Sequence, residues 1–423
     1  MIYTNRHMTN RGVGSWKSWL LMSLLLVCLT ACSSSGDDEM EEQNPEAANG
    51  SNVPGNAPTK LYIYVYAPEA PEVTRAAYGG QEVVDPITGE TSVYSLQIWV
   101  FTHDTNQLLG YYSSTQPSSL STANPSELIQ MTIDETYAQK EAGEREPVDV
   151  YVAANVENSN CNLTLDGLTT QAQLEAALIQ KTTADPFGVT NPISSVPENV
   201  GLPMSGVVRD LSVTGSAPVL RLDNGSGGIA TVQLVRAVSK LRFAFSRQTG
   251  GESLTINSIK LNTEMLPIAE YLFMSPGAPY DGRTCHIKTG SEYDYETETP
   301  NLLSNVITDI AENADPVIYA WGYDEAEPDV YEARIETAAQ DGYLTQRVFY
   351  LRESNKLLTG TIKYQIGEGE EQTATFRMVD EGGFSRNHVW TVYAYLAEAK
   401  LKVIVAEVAP WRPTETNYEF YNW

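Results

Sequence analysis

The run KLYIYVYAPEAPEVTRAAYGG, residues 60–80, decides how the rest of the chain is read. Leu61, Ile63, Val65 and Ala67 fall on one face of an extended backbone, and Tyr62, Tyr64 and Tyr66 fall on the other. A period of two over β-branched, aliphatic and aromatic residues is the pattern of a strand with one face buried. Pro68 and Pro71 end it, because neither can donate to a ladder. The acidic connection from Pro68 to Thr74 is expected at the surface, with Arg75 at its end open to a protease. A strand tied to the body by so exposed a link is expected to be temporary.

The 423 residues suffice for two or three domains, and 42% hydrophobic with 9% aromatic residues supports packed cores. There are 27 Lys plus Arg against 54 Asp plus Glu, a net charge of −27. Residues 1–31 hold three of the basic residues and none of the acidic ones, so the remainder carries −30. Such a surface repels nucleic acid, which is excluded as a partner. Twenty-four Tyr against nine Phe, with many Thr, Gly, Asn and Pro, is the composition of sheets joined by turns. Of four cysteines only Cys161 and Cys285 lie in the body, and two do not make a disulfide framework.

Arg6, Arg11 and Lys17 precede the apolar run Trp19 to Leu29, too short for a spanning helix and flanked as a signal peptide is. Leu29-Thr30-Ala31-Cys32 reads as a bacterial lipobox, in which the Cys32 thiol takes the lipid and cleavage makes it residue one. Residues 1–31 are therefore expected as signal peptide and 32–58 as a flexible acidic tether. The acid run Asp37, Asp38, Glu39, Glu41, Glu42 is either a solvated linker or resembles the surface-export signal of Bacteroidales lipoproteins.

Along the body, Val93 to Phe101 alternates and turns at His103 to Gln107 into Leu108 to Tyr112, which predicts a hairpin. Pro147 to Asn155 predicts a strand. Thr170 and Gln173 have capping-box spacing ahead of a modest helix in which Leu174 and Leu178 share a face. Leu202 to Gly206 reads as a corner, and DNGSGG, residues 223–228, as a loop where the chain divides into parts 59–225 and 226–423. Ile229 to Ser246 predicts a long strand or strand pair, and Leu254 to Leu261 another strand. Residues 276–298 read as irregular and Leu302 to Ile310 as a short helix. Val317 to Trp321, Thr345 to Leu351, Thr359 to Ile366, Thr373 to Met378, Asn387 to Leu396 and Leu401 to Val408 predict strands. Asn417 to Trp423 is a final strand-like run whose Tyr418, Phe420, Tyr421 and Trp423 need a groove to lie in.

Chemistry is hard to find. His103, His286 and His388 show no metal-ligand spacing and read as turn or surface residues, so no metal or cofactor is expected. No nucleophile elbow, phosphate loop or dinucleotide fingerprint is present, and no catalytic residue is assigned. Trp and Tyr could form a sugar platform, but in strands they serve more often as core and cross-strand partners.

Lipobox, tether, alternating strand, Thr74-Arg75-Ala76, LQIWVF, PVDVYVAAN, LPMSG, VRAVSKLRFAF, SRNHVWTVYAYL and LKVIVAEVAPW follow one another in this order. In that order they resemble the fimbrillin family, the type V pilins of Bacteroidales, over nearly the whole chain after Cys32. The resemblance implies a mainly β chain of two tandem transthyretin-like Greek-key β-sandwich domains with few short helices. It implies delivery to the outer membrane as a lipoprotein on Cys32, cleavage of Arg75-Ala76 by an arginine-specific protease, and an extracellular fimbrium. The strand carrying Leu61, Ile63, Val65 and Ala67 would then leave, and the carboxy-terminal strand of another fimbrial subunit, identical or different, would fill its groove. Tyr418, Phe420, Tyr421 and Trp423 mark the favoured donor. The alternatives are a glycan-binding surface lipoprotein and an uncleaved anchor or tip subunit.

Overall fold

The computed structural model describes residues 58–66, 89–115, 120, 126–157, 159–181, 187–188, 193–223, 228–274, 284–290, 293–313, 318–320, 333–335, 345–377, 383–397 and 399–410. For residues 313, 318–320, 333–335, 397, 402 and 404–410 it describes the backbone alone. The architecture is mainly β, in several sheets.

Strand β1 (Lys60–Tyr66) is followed by the hairpin of β2 (Leu96–Thr102) and β3 (Leu108–Ser114), then by β4 (Ser126–Thr132). A one-turn helix α1 (Glu135–Ala138), β5 (Val148–Ala154), the short helix α2 (Gln171–Glu175) and β6 (Leu178–Gln180) come next. The long β7 (Met204–Ser216) turns back into β8 (Val219–Asp223), and the short β9 (Thr231–Gln233) and β10 (Val235–Arg236) follow. Then come β11 (Ser239–Gln248), β12 (Leu254–Leu261), β13 (Ala269–Tyr271), β14 (Glu312–Asn313), β15 (Ile318–Ala320) and β16 (Ala333–Ile335). The last are β17 (Thr345–Leu351), β18 (Thr359–Ile366), β19 (Gln372–Arg377), β20 (His388–Ala397) and β21 (Lys400–Pro410).

The first sheet has the order β3-β2-β5-β7-β8-β1-β4, with β10 also on β7 and β9 also on β1. Its continuity depends on β7, which pairs with β5 up to Leu211 and with β8 from Ser212 onward. Asp210, with a left-handed φ of 56°, stands just before this change of partner, where a ladder must bend. Strands β2 and β5 are buried on both faces. One face packs in the core with Leu61, Ile63 and Val65; on the other, Trp99 meets Tyr111 at 5.5 Å and Tyr151 meets Phe273 edge-on at 5.4 Å.

A second core gathers Leu241, Phe243 and Phe245 of β11 with β12, β17, β18, β19 and β20. Its two sheets are β14-β11-β20-β21, with β17 on β11, and β12-β18-β19; they meet where Phe243 lies edge-on to Phe376 at 5.4 Å, while Phe243 also meets Phe349 of its own sheet at 6.0 Å. Gly360 makes that closeness possible, because a Cβ there would run into the Phe376 ring and the Lys260 carbonyl. Val232, Leu234, Ala237 and Val238 lie in the first core and Leu241 in the second.

Between the cores runs an unusual amount of buried charge. The Glu90 carboxylate accepts from Lys240 Nζ at 2.8 Å and Tyr350 Oη at 2.5 Å, and the Glu90 carbonyl accepts from Arg236 Nε at 2.9 Å. Glu353 accepts from Arg386 Nη2 at 2.6 Å and from the His286 N–H at 2.7 Å. The Glu353 N–H in turn donates to Glu270 at 2.8 Å. Burial pushes the Glu270 carboxyl well above the ordinary carboxylate range, and burial lowers Lys240. Ions this deep hold together only while every partner stays in place.

Several sequence expectations need correction. Leu302 to Ile310 is not a helix. Ile307 exchanges two backbone hydrogen bonds with Ile256, at 2.9 and 3.0 Å, and Leu302 N–H donates to Ile259 O, so the segment lies along β12 with Leu302, Leu303, Ile307 and Ile310 buried. Helix α2 has the full capping box, yet it stops at Glu175, and Leu178 begins β6, which pairs with β13. Strand pairing overrides the helical spacing of Leu174 and Leu178. Met204-Ser205-Gly206 opens β7 where a corner was expected, and the run from Ile229 to Ser246 is broken into three strands. His286 and His388, expected in turns or at the surface, are both 2% exposed. Cys161 and Cys285, not read as a disulfide framework, are both free thiols.

Candidate functional site

The candidate site is the slot that holds β1, and its register is explicit. Along one edge β1 pairs antiparallel with β4 over its full length, from Lys60 opposite Thr132 to Tyr66 opposite Ser126. Along the other it pairs parallel with β8 over Lys60 to Tyr62 and with β9 over Tyr64 to Tyr66. It is thus an interior strand, and within the described ladders β4 reaches the sheet through β1 alone.

Leu61, Ile63 and Val65 are each 0% exposed, as the alternation predicts, and Tyr62, Tyr64 and Tyr66 are half-buried on the outer face. The walls facing the inward row are Ile129 and Met131 of β4, Leu220 and Leu222 of β8 and Val232 of β9, all buried in the same core. These lining residues were missing from the sequence reading. Their signal was present in SELIQMT and VLRLD, where Ile129 and Met131, and Leu220 and Leu222, alternate with polar residues.

The ends of the strand are tied as well. Lys60 N–H donates to Pro218 O at 2.9 Å, Leu234 N–H donates to Tyr66 O at 2.9 Å, and Lys60 Nζ reaches Thr132 Oγ1 at 2.7 Å. Ahead of the strand, Thr59 N–H and hydroxyl both donate to the Glu135 carboxylate, at 2.6 and 2.9 Å.

Of the other residues assigned from sequence, Cys32, Ala67, Arg75, Ala76, Tyr418, Phe420, Tyr421 and Trp423 lie outside the described residues. The alternative donor run, Leu401 to Val408, is β21, which forms a hairpin with β20 from His388 opposite Pro410 to Ala397 opposite Lys400. Trp99 and Trp390 are buried, so neither offers a sugar platform.

His103, in the turn between β2 and β3, stands beside a carboxylate of β5. Its Nδ1 lies 2.7 Å from Asp149 Oδ1. Asp149 is itself buried and also accepts from Gln171 Nε2 at 3.1 Å, Arg209 Nη1 at 3.4 Å and the Asp210 N–H at 2.9 Å. The carboxylate therefore ties β5 to the β2–β3 turn, to α2 and to the bend of β7. It is a structural anchor. Among the described residues no group of three His, Cys, Asp or Glu stands together as a metal site.

Comparison with known proteins adds a likeness of chain course. No family model matches the sequence, and no curated relative does. Among solved structures, the tip fimbrial protein Mfa3 from Porphyromonas gingivalis, with a C-terminal truncation, is similar at a TM-score of 0.42 and 12% identity, over 83% of this chain and 100% of that one. A fimbrial assembly protein from Parabacteroides distasonis is similar at a TM-score of 0.42 and 11% identity, over 83% and 96%. The likeness is to Bacteroidales fimbrial proteins. At these identities the functional argument rests on the slot itself.

Two outcomes are expected here. Ile63→Ala, which empties a fully buried position, should destabilise the fold by about 2–5 kcal/mol, read as a lower urea midpoint. The hydrogen bond to Asp149 and then its charge raise the His103 pKa, so the folded state favours the protonated ring. Stability from this pair is present below about pH 6.5 and is lost as pH rises through the folded value. NMR titration should place the His103 midpoint above that of a free histidine, and Asp149→Asn should lower it.

Proposed function

We propose that this chain is a structural subunit of a cell-surface fimbria, exported as a lipoprotein on Cys32, cut between Arg75 and Ala76, and polymerised by strand exchange. The observation that carries this reading is the position of β1. It is the first described strand, it lies inside a sheet, and it fills a slot with three aliphatic side chains that touch no water.

Burying a Leu, Ile or Val is worth about 1.5–3 kcal/mol each. The three together approach the whole stability of an ordinary domain, about 5–15 kcal/mol. An empty slot would therefore not persist, and losing β1 would also unpair β4. A replacement strand must bond on both edges, antiparallel to β4 and parallel to β8 and β9. Another subunit can supply such a strand, which restores burial and both ladders at once. Cleavage after Arg75 makes the outgoing strand a separate chain and frees the body from its lipid.

The donor in this reading is the neighbour's Asn417 to Trp423, since Leu401 to Val408 is already engaged as β21. The body comprises two tandem sandwich domains. Residues 59–75 are the removable segment of the first, and the hand-over between cores lies between Val238 and Leu241. The partners are other subunits of the same or a related kind and an arginine-specific protease. The role is structural, without catalysis.

Trypsin-like digestion should give a body that starts at Ala76 and then forms multimers. Arg75→Ala should abolish both, and deletion of residues 414–423 should allow cutting but block multimer formation on gel filtration. Multimers of the uncut or truncated chain at the wild-type level would sink the mechanism.

A further inference from the structure

The burial pattern of β1 leaves one question of register open. A slip of one residue would turn Leu61, Ile63 and Val65 to the outer face and is therefore forbidden, but a slip of two keeps an inward row inward. Something at the end of the strand must set the absolute position. Thr59, 1% exposed, is the residue at that end, and it meets a single carboxylate with two donors, N–H to Glu135 Oε1 at 2.6 Å and hydroxyl to Oε2 at 2.9 Å.

Glu135 follows β4 and the Ile133 N–H donates to Thr59 O at 3.3 Å, but it also has supports away from β1. It opens α1, which Asp134 caps by accepting from the Tyr137 N–H, while the Asp134 N–H donates to Leu109 O at 2.8 Å. Tyr137 Oη donates to Glu146 O at 2.6 Å, and Arg145 Nη2 donates to Ala138 O at 2.8 Å. These bonds give the Glu135 carboxylate a place at the mouth of the slot that does not rest on β1 alone.

We propose that Glu135 is the register-determining residue of the slot, reading a threonine or serine two positions before the first inward side chain of whatever strand lies there. This rests on the strand-exchange reading above. It also separates the two possible donors. In β21 the residue two before Leu401 is Ala399, whereas Thr416 stands two before Tyr418. Seated so, Tyr418 and Phe420 take the places of Leu61 and Ile63 and Asn422 that of Val65, and the occupant that Glu135 fits is Thr416 to Trp423 of a second copy.

The test uses the full chain nicked after Arg75 and fluorescent peptides covering residues 59–66 and 416–423, each made with its first residue as Thr, Ser or Ala. A charge-assisted hydrogen bond at a partly exposed site predicts that Thr and Ser peptides displace β1 about tenfold more readily than Ala peptides. In Glu135→Ala that ratio should fall to one, while Glu135→Gln, which can accept the N–H and donate to the hydroxyl oxygen, should keep part of it. Equal displacement by Thr and Ala peptides, or a ratio that survives Glu135→Ala, overturns the role of Glu135 with strand exchange intact. Displacement by the 59–66 peptides but none by 416–423 overturns the choice of occupant. No displacement by any peptide overturns strand exchange, and the proposal with it.

Discussion

Strand β1 belongs to two ladders at once, and the first half of the molecule depends on that. An edge strand can leave a sheet at the cost of its own bonds, but β1 is the only strand that pairs with β4 in the described ladders. Its antiparallel bonds to β4 and parallel bonds to β8 and β9 define a slot with one permitted direction. Its three aliphatic side chains define a slot with one permitted face. In the strand-exchange reading, a replacement strand meets the same geometry, which makes the slot selective.

The second half repeats the device with its own strand. β11 pairs antiparallel with β17 and parallel with β20, as β1 does with β4 and with β8 and β9. β11 lies far along the chain from the proposed cut after Arg75, so in the strand-exchange reading it keeps its place. Between the halves, the Glu90, Lys240, Tyr350 and Arg236 cluster and the Glu353, Arg386, Glu270 and His286 cluster hold polar groups that would be costly to expose or to leave unpaired. Glu90 comes only two dozen residues after β1 in the chain, and its burial pins the start of the body whatever the strand does.

Strands with strict alternation were legible in the sequence, because period-two burial needs no knowledge of partners. Lys60–Tyr66 and Thr359–Ile366 alternate in this way, and Val148–Ala154, Leu254–Leu261 and Thr345–Leu351 also stand within a residue or two of expectation although their burial does not alternate strictly. Misreadings came where tertiary pairing decides local form. Leu174 and Leu178 have helical spacing, yet β13 recruits Leu178. Leu302 to Ile310 has apolar residues that suit a helix, yet Ile256 and Ile259 hold it extended. The slot walls were the costliest omission, because β4 and β8 are short, moderately apolar and informative only once paired with β1. Buried Arg, Glu and His at the junction leave no pattern in one sequence, since each is tolerated through partners dozens to hundreds of residues away.

The central claim is that β1 is exchanged, and a peptide map of the purified assembled fibre tests it most directly. The account predicts that chains in the fibre begin at Ala76 and that no peptide from Lys60 to Tyr66 is recovered. Recovery of that peptide in equal amount with the body would show that β1 stays in its slot, and would contradict the account.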